Sequence, residues 1–237
     1  MRHVVEAIGR VHSPYRQKFA IPRQPGLVSS AFGKLEFYSP YANPECFRGI
    51  EEFDYLWVNF IFHETQAQGW KPLVRPPRLG GNLKKGVFAT RSTFRPNALG
   101  LSVVKLEEVR VVKGQTELWV SGLDLLDGTP IVDIKPYLAY ADALPNASGG
   151  FADTRPSLHL QIEFTDHALS TLEVHKRDYP HLKQLIIEVL QQDPRPAYKT
   201  SATEMQTYGM HLYHFNIKWC VLDGVHRVTE IHAGATE

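Results

Sequence analysis

Arg91 and Arg95 stand four residues apart among Thr90, Ser92, Thr93 and Asn97, a dense set of hydrogen-bonding side chains. Paired guanidinium groups grip carboxylate, phosphate or a planar base. The surrounding charge points the same way. From Lys71 to Asn97 the charged residues are Lys71, Arg75, Arg78, Lys84, Lys85, Arg91 and Arg95, with no Asp or Glu among them. Such a span is either a solvated basic face or an anion-binding surface, and nucleic acid is the natural ligand of the second. Upstream, His63 and Glu64 follow the most hydrophobic run of the chain. Polar residues just past a buried strand are where sites are often built. Downstream, Asp133, Lys135 and Tyr137 alternate at i, i+2, i+4, which puts them on one face of a strand.

These residues need elements to hold them. Residues 86–104, GVFATRSTFRPNALGLSVV, read as strand, polar turn, strand. Val87-Phe88-Ala89 is the first apolar piece. Pro96 fixes φ and makes 94–97 a turn. Gly100 permits an unusual backbone angle or a close approach. Strands are expected from Val4 to Val11, from Ala31 to Tyr38, and from Tyr55 to Phe62, the last as a central strand buried on both faces. Residues 44–48 suggest one helical turn. Arg75-Pro76-Pro77-Arg78 is expected to be extended. The second apolar piece of the 86–104 stretch continues to Val112, Lys113-Gly114 turns it back, and Thr116 to Ser121 returns. Pro130 to Tyr137 follows a turn at Asp127-Gly128. Seven short strands without a long helix predict an all-β barrel or sandwich.

A Gly-, Ser-, Asn- and Pro-rich stretch at 142–157 marks a boundary, giving domains 1–150 and 151–237. The second is expected to be a small α+β domain. Thr165-Asp166 caps a helix running to about Asp178. Leu182, Leu185, Ile186, Val189 and Leu190 follow the i, i+3, i+4, i+7, i+8 pattern of an amphipathic helix, which Pro194 and Pro196 stop. Leu212 to Val221 and Val225 to Ile231 read as a hairpin across Asp223-Gly224.

Composition bounds the function. The 237 residues are 43% hydrophobic and 22% charged with a net charge of +1, so nucleic-acid affinity must come from a local patch. No apolar run reaches the length of a membrane span, and no signal peptide is read at the start. Cys46 and Cys220 stand in no metal or redox spacing and read as free thiols in a reducing compartment. A cytoplasmic protein without a metal is expected.

The motif GVFATRSTFRPNALGLS (86–102), with PRQPG (22–26), RPPRLGGN (75–82) and LDLLDGTPIVDIKPY (123–137), resembles the TsaA-like family of tRNA methyltransferases. DPRPAY (193–198) and HLYHFNIKW (211–219) resemble that family's small C-terminal domain, so the likeness spans nearly the whole chain. It implies a β-barrel catalytic domain, unlike the usual doubly wound methyltransferases, and a homodimer. The implied reaction is methyl transfer from S-adenosylmethionine to N6 of threonylcarbamoyladenosine at position 37, in the anticodon loop of tRNA.

By the same resemblance the cofactor residues fall on Pro22, Arg23, Gln24, His63, Glu64, Arg91, Leu101, Leu123, Asp124, Leu125 and Leu126. Arg91 is the expected anion handle, because arginine holds a carboxylate bidentately. Glu64 or Asp124 is expected to take ribose hydroxyls or the ammonium, and Leu101 and Leu125 to wall the adenine. Asp133, Lys135 and Tyr137 are expected to line the acceptor pocket. The tRNA is expected on Lys71, Arg75, Arg78, Lys84, Lys85 and Arg95, with Arg195, Tyr198 and Lys199 of the C-terminal domain extending that surface or merely packing. Tyr15, Phe19 and Tyr137 are potential stacking platforms or core. Two other readings remain at this point: a tRNA-binding barrel without catalysis, and a methyltransferase acting on a small molecule.

Overall fold

The computed structural model describes residues 3–155, 160–195 and 206–234. Its strands and helices run in the order β1 (Gly9–His12), β2 (Phe32–Phe37), β3 (Tyr55–Ile61), α1 (His63–Gln66), β4 (Leu73–Val74), β5 (Lys85–Gly86), β6 (Leu99–Val112), β7 (Gln115–Ser121), β8 (Pro130–Pro136) and α2 (Ala139–Asp142). Then come β9 (Gln161–Phe164), α3 (Asp166–His175), α4 (Leu182–Gln191), β10 (Gln206–Leu212), β11 (Phe215–Leu222) and β12 (Val225–Ala233).

Six strands close into a barrel in the order β1-β2-β7-β6-β3-β8. The pairings of β3 with β6 and with β8 are antiparallel. Closure leaves no open edge, and it also limits burial to one face of each strand. In β3, Leu56, Val58 and Phe60 point into the core, while Tyr55, Trp57 and Asn59 point outward. The expectation of a strand buried on both faces therefore fails: β3 is central in its hydrogen bonding, but a barrel covers only its inside. Gly100 on β6 lies opposite Phe60, and a Cβ there would stand 2.3 Å from the phenyl ring. Glycine at this position makes room for an aromatic ring inside the barrel.

Other expectations shift for local reasons. Residues 3–8 are not part of β1, which starts at Gly9. Val87–Ala89 forms a 3-10 turn rather than a strand. The Thr90 amide and hydroxyl both donate to the Val87 carbonyl, at 3.2 and 2.9 Å, and close the turn. Pro76 is extended as expected, but Pro77 opens a 3-10 turn through Leu79, where a missing N–H is no loss. Residues 44–47 form the expected helical turn.

The chain divides into two compact units that no single cut separates. The first comprises the residues before Ser13, Lys34–Val120 and Gly128–Arg155. The second comprises Ser13–Gly33, Ser121–Asp127 and the described residues beyond 159. In the second unit a four-stranded sheet in the order β10-β11-β12-β9 packs against α3 and α4. Thr165 caps α3 by accepting from the Ala168 amide, and α4 buries all five residues of its apolar stripe. The expected hairpin at Asp223-Gly224 forms, both residues having positive φ. A second hairpin at Tyr213-His214 was not legible, since neither residue is a turn former. No described helix is long and apolar enough to cross a membrane.

His226 on β12 is wholly buried, and neither ring nitrogen has a hydrogen-bond partner among the described residues. Burial pushes its pKa below the usual histidine value, Arg195 adds to that, and Asp193 opposes it. The unfolded chain therefore takes up this proton first as pH falls. Stability contributed by the neutral ring is full above about pH 6.5 and declines below it, by at most about 1.4 kcal/mol per pH unit. Urea unfolding at pH 7.5 and 5.5 should show a smaller drop for His226→Phe than for the parent protein. An equal drop would mean that His226 is protonated alike in both states.

Candidate functional site

The 86–98 loop is built from its own polar groups. Its amides use nearby hydroxyls: Ser92 donates to Thr90 Oγ1 and Phe94 to Ser92 Oγ, each at 3.3 Å. Arg95 Nη1 donates to the carbonyls of Thr90 and Val87 at 2.8 and 3.3 Å, pulling the loop around its guanidinium. The Phe62 amide donates to the Ala98 carbonyl at 2.8 Å, and Ala98 takes a positive φ. This bond sets α1, with His63 and Glu64, beside the end of the loop. His63 Nε2 lies 3.6 Å from a Glu64 carboxylate oxygen. Arg91 is exposed on the same loop.

Strand register assembles the second cluster, on the outside of the barrel. Asn59 pairs with Leu101 on β6 and with Asp133 on β8. Trp57 pairs with Val103 and Lys135 in the next outward row. The Tyr137 amide donates to the Tyr55 carbonyl at 2.9 Å, extending the face. Leu101, expected at the cofactor, thus shares one surface with Asp133, Lys135 and Tyr137, expected at the acceptor. Lys135 Nζ is 4.0 Å from Asp133 Oδ2, and both side chains are exposed. The Tyr137 ring packs 5.6 Å from the Trp57 ring. Trp57 Nε1 and the Leu138 amide both donate to Asp142, at 2.9 and 2.8 Å, and hold its carboxyl below the usual carboxylate range. The sequence reading missed Asn59 and Trp57. The one signal was a lone asparagine inside an otherwise apolar run.

The remaining residues expected at the cofactor lie in the second unit. The Gly26 amide donates to the Gly122 carbonyl at 3.0 Å, which brings Pro22-Arg23-Gln24 and Leu123–Leu126 into neighbouring loops. The second loop is clasped by residues 13–16. Ser13 Oγ donates to the Leu125 carbonyl at 2.7 Å, and the Ser13 amide to Asp127 Oδ1 at 2.8 Å. Arg16 Nη1 reaches Asp127 Oδ2 at 2.6 Å, and the Asp127 amide donates to the Tyr15 carbonyl. Pro22, Leu123 and Leu125 are buried, whereas Arg23 is exposed and Gln24, Asp124 and Leu126 are half-buried. Leu125, 2% exposed, is core, so it offers a ligand no side-chain wall. Leu101, 56% exposed, offers one.

The basic residues divide by what holds them. Lys84, Lys85 and Arg75 are exposed. Lys71 lies over the Phe94 ring, its Nζ 4.2 Å from the centroid. Arg78 bonds to the Thr154 carbonyl and hydroxyl, and Arg95 to its own loop. Arg195 pairs with Asp193 through its Nε at 2.7 Å. Tyr198 and Lys199 lie outside the described residues. Tyr15 is fully buried and packs as core, while Phe19 is exposed.

For S-adenosylmethionine the donor set is chemically suited. Glu64 and Asp124 are carboxylates for hydroxyls or an ammonium, Arg91 is a guanidinium for a carboxylate, and Leu101 is an apolar surface. Among the described residues no three His, Cys, Asp or Glu gather as metal ligands.

Residues 10–143 match the tRNA-methyltransferase O N-terminal domain, and residues 157–234 match the TrmO C-terminal domain. The tRNA (adenine(37)-N6)-methyltransferase of Escherichia coli is 50% identical over 218 residues, covering 92% of this chain and 93% of that protein. A putative S-adenosylmethionine-dependent methyltransferase, RcsF, of Pseudomonas aeruginosa is 43% identical over 92% of this chain and 93% of its own length. A crystal structure of TrmO from Pseudomonas aeruginosa superposes with a TM-score of 0.80 at 35% identity, covering 98% of this chain and all of that one.

Proposed function

The chain belongs to the tRNA-methyltransferase O family, and from that premise we propose that it methylates N6 of threonylcarbamoyladenosine at position 37 of tRNA. It is an S-adenosylmethionine-dependent tRNA adenosine N6-methyltransferase. The observation that supports the finer reading best is the outward row Leu101–Asn59–Asp133, which adjoins the row carrying Lys135. That surface offers an apolar patch, an amide, a carboxylate and an ammonium side by side.

When bound, S-adenosylmethionine supplies an electrophilic methyl group on a sulfonium. The protein's residues do the rest. Arg91 would hold the α-carboxylate, Glu64 or Asp124 would take hydroxyls or the ammonium, and Leu101 would offer an apolar surface. The loops Pro22–Gln24 and Leu123–Leu126 contribute backbone groups, and His63 orients Glu64. On the acceptor side the nucleophile is a urea-like nitrogen, poor until its proton leaves. In this reading Asp133 would take that proton, and Lys135 or Tyr137 would contact the carbamoyl group or the threonyl carboxylate. Orientation of this kind supplies about 7–11 kcal/mol in favourable cases, and a positioned base adds roughly 10²–10⁴-fold. Exposed apolar side chains at Tyr140 and Leu144 favour a homodimer, and the substrate favours the cytoplasm.

Nucleoside mass spectrometry tests the reading directly. Purified protein, cofactor and tRNA with or without the threonylcarbamoyl group are incubated together. A methyl gain on threonylcarbamoyladenosine alone is the expected result. Methylation of unmodified adenosine instead would overturn the acceptor assignment and keep the reaction class.

The tRNA surface makes its own prediction. Lys84 and Lys85 neutralise phosphates, so the double variant Lys84→Ala/Lys85→Ala should flatten the salt dependence of tRNA binding by about 0.7–0.9 per lysine lost. Filter binding between low and moderate salt measures the slope. An unchanged slope would remove these lysines from the interface.

A further inference from the structure

One part of the 86–98 loop has no role in the chemistry above. Phe88, Arg95, Pro96, Asn97 and Leu99 line an open depression of about 190 Å³. Whole cofactors and drug-sized ligands fill roughly 300–1,000 Å³. This depression suits a single flat ring system instead.

Its walls are prepared in an unusual way. The 3-10 turn at Val87–Ala89 buries Val87 and turns Phe88 outward, leaving the phenyl ring 76% exposed. Arg95 is fixed by Nη1 to two carbonyls of its own loop, and its guanidinium carbon lies 5.9 Å from the Phe88 centroid. Among the described residues neither its Nη2 nor its Nε meets an acceptor, and the Asn97 amide makes no hydrogen bond. An aromatic face, a fixed guanidinium with donors to spare and an amide edge form one receptor. Aromatic faces of this kind stack unpaired bases, arginine takes the adjoining anion, and asparagine reads a base edge.

We propose that this depression receives an unstacked purine of the tRNA anticodon loop, stacked on Phe88, with Arg95 on a neighbouring anionic group and Asn97 on the base edge. The inference rests on the tRNA-methyltransferase reading. Charge decides the occupant. The span from Lys71 to Asn97 carries seven basic residues and no carboxylate. A second copy meeting itself here would set like charges together, whereas RNA brings phosphates.

The test compares tRNA affinity of the parent protein, Phe88→Ala and Phe88→Trp by filter binding across a salt series. Methylation by the parent protein, cofactor titration and light-scattering mass are followed in parallel. Because Phe88 is exposed, its truncation leaves the core intact. Phe88→Ala should bind tRNA on the order of ten- to a hundredfold more weakly at every salt concentration with an unchanged salt slope, and Phe88→Trp should bind normally. Cofactor affinity and mass should not change. A tRNA affinity within twofold of the parent overturns the proposal while leaving the methyltransferase reading in place. A loss of affinity that follows a loss of mass overturns it in favour of a contact between copies. If the parent protein itself neither binds nor methylates tRNA, both readings fall together.

Discussion

The Arg91→Ala protein should bind S-adenosylmethionine roughly ten- to a hundredfold more weakly than its parent, the range expected for losing a hydrogen-bonded charged partner. Arg91 stands exposed on a loop that the Thr90 and Ser92 hydroxyls and the Arg95 guanidinium help to shape. Isothermal titration measures the affinity directly. In steady-state assays the change should appear in KM for the cofactor, with kcat retained at saturation, because a group on the α-carboxylate would contact the ground state and the transition state alike. Arg91→Lys keeps the charge but loses the planar fork, so it should restore only part of the affinity. Parent-like affinity in Arg91→Ala would remove this residue from the cofactor site.

The second large effect is on stability. Gly100→Ala should cost about 1–3 kcal/mol, the usual range for overpacking a filled core. The added methyl would meet the Phe60 ring at 2.3 Å. Phe60 is buried inside the barrel on a strand hydrogen-bonded on both sides, so the ring has little freedom to retreat. The cause can be isolated with Phe60→Leu, which frees space on its own account at some cost. In the double variant the two costs should not add, and a coupling of about 1 kcal/mol or more is expected from direct contact. Urea unfolding of the four proteins provides the cycle. Additive costs would show that Gly100 is needed for its backbone and not for the ring.

How much of this was legible in the sequence depended on how local each cause is. The α4 helix was legible because Leu182, Leu185, Ile186, Val189 and Leu190 repeat at the helical period, and the structure buries those five. β1 and β2 were legible from alternation, β3 only as an apolar run read as buried on both faces, and the turns from Lys113-Gly114 and Asp127-Gly128. Val87-Phe88-Ala89 looked like a strand because three apolar residues carry no period. What made it a turn is the Thr90 side chain bonding backwards. Tyr213-His214 gave no sign of a turn, and Tyr213 adopts its positive φ because the two strands around it pair. For the site, Asp133, Lys135 and Tyr137 could be put on one face from spacing alone. Their neighbours Asn59 and Trp57 could not, because strand register joins residues that lie far apart in the chain.

The interleaved composition of the second unit has a consequence in time. Ser13–Gly33 leaves the ribosome early, yet its partners are Leu125, Asp127, Glu188 and His211. The Gln17 amide meets His211 across 194 residues of chain. Until the last strands are made, Tyr15, fully buried in the finished protein, lacks its bridge to Leu212. Closing such distant contacts slows folding, and waiting exposes apolar surface. Synthesis of this protein thus passes through a long interval in which the barrel strands are present and the second unit is not. A nascent chain halted before residue 206 should be the form most dependent on chaperones and most readily cut by protease within Ser13–Gly33.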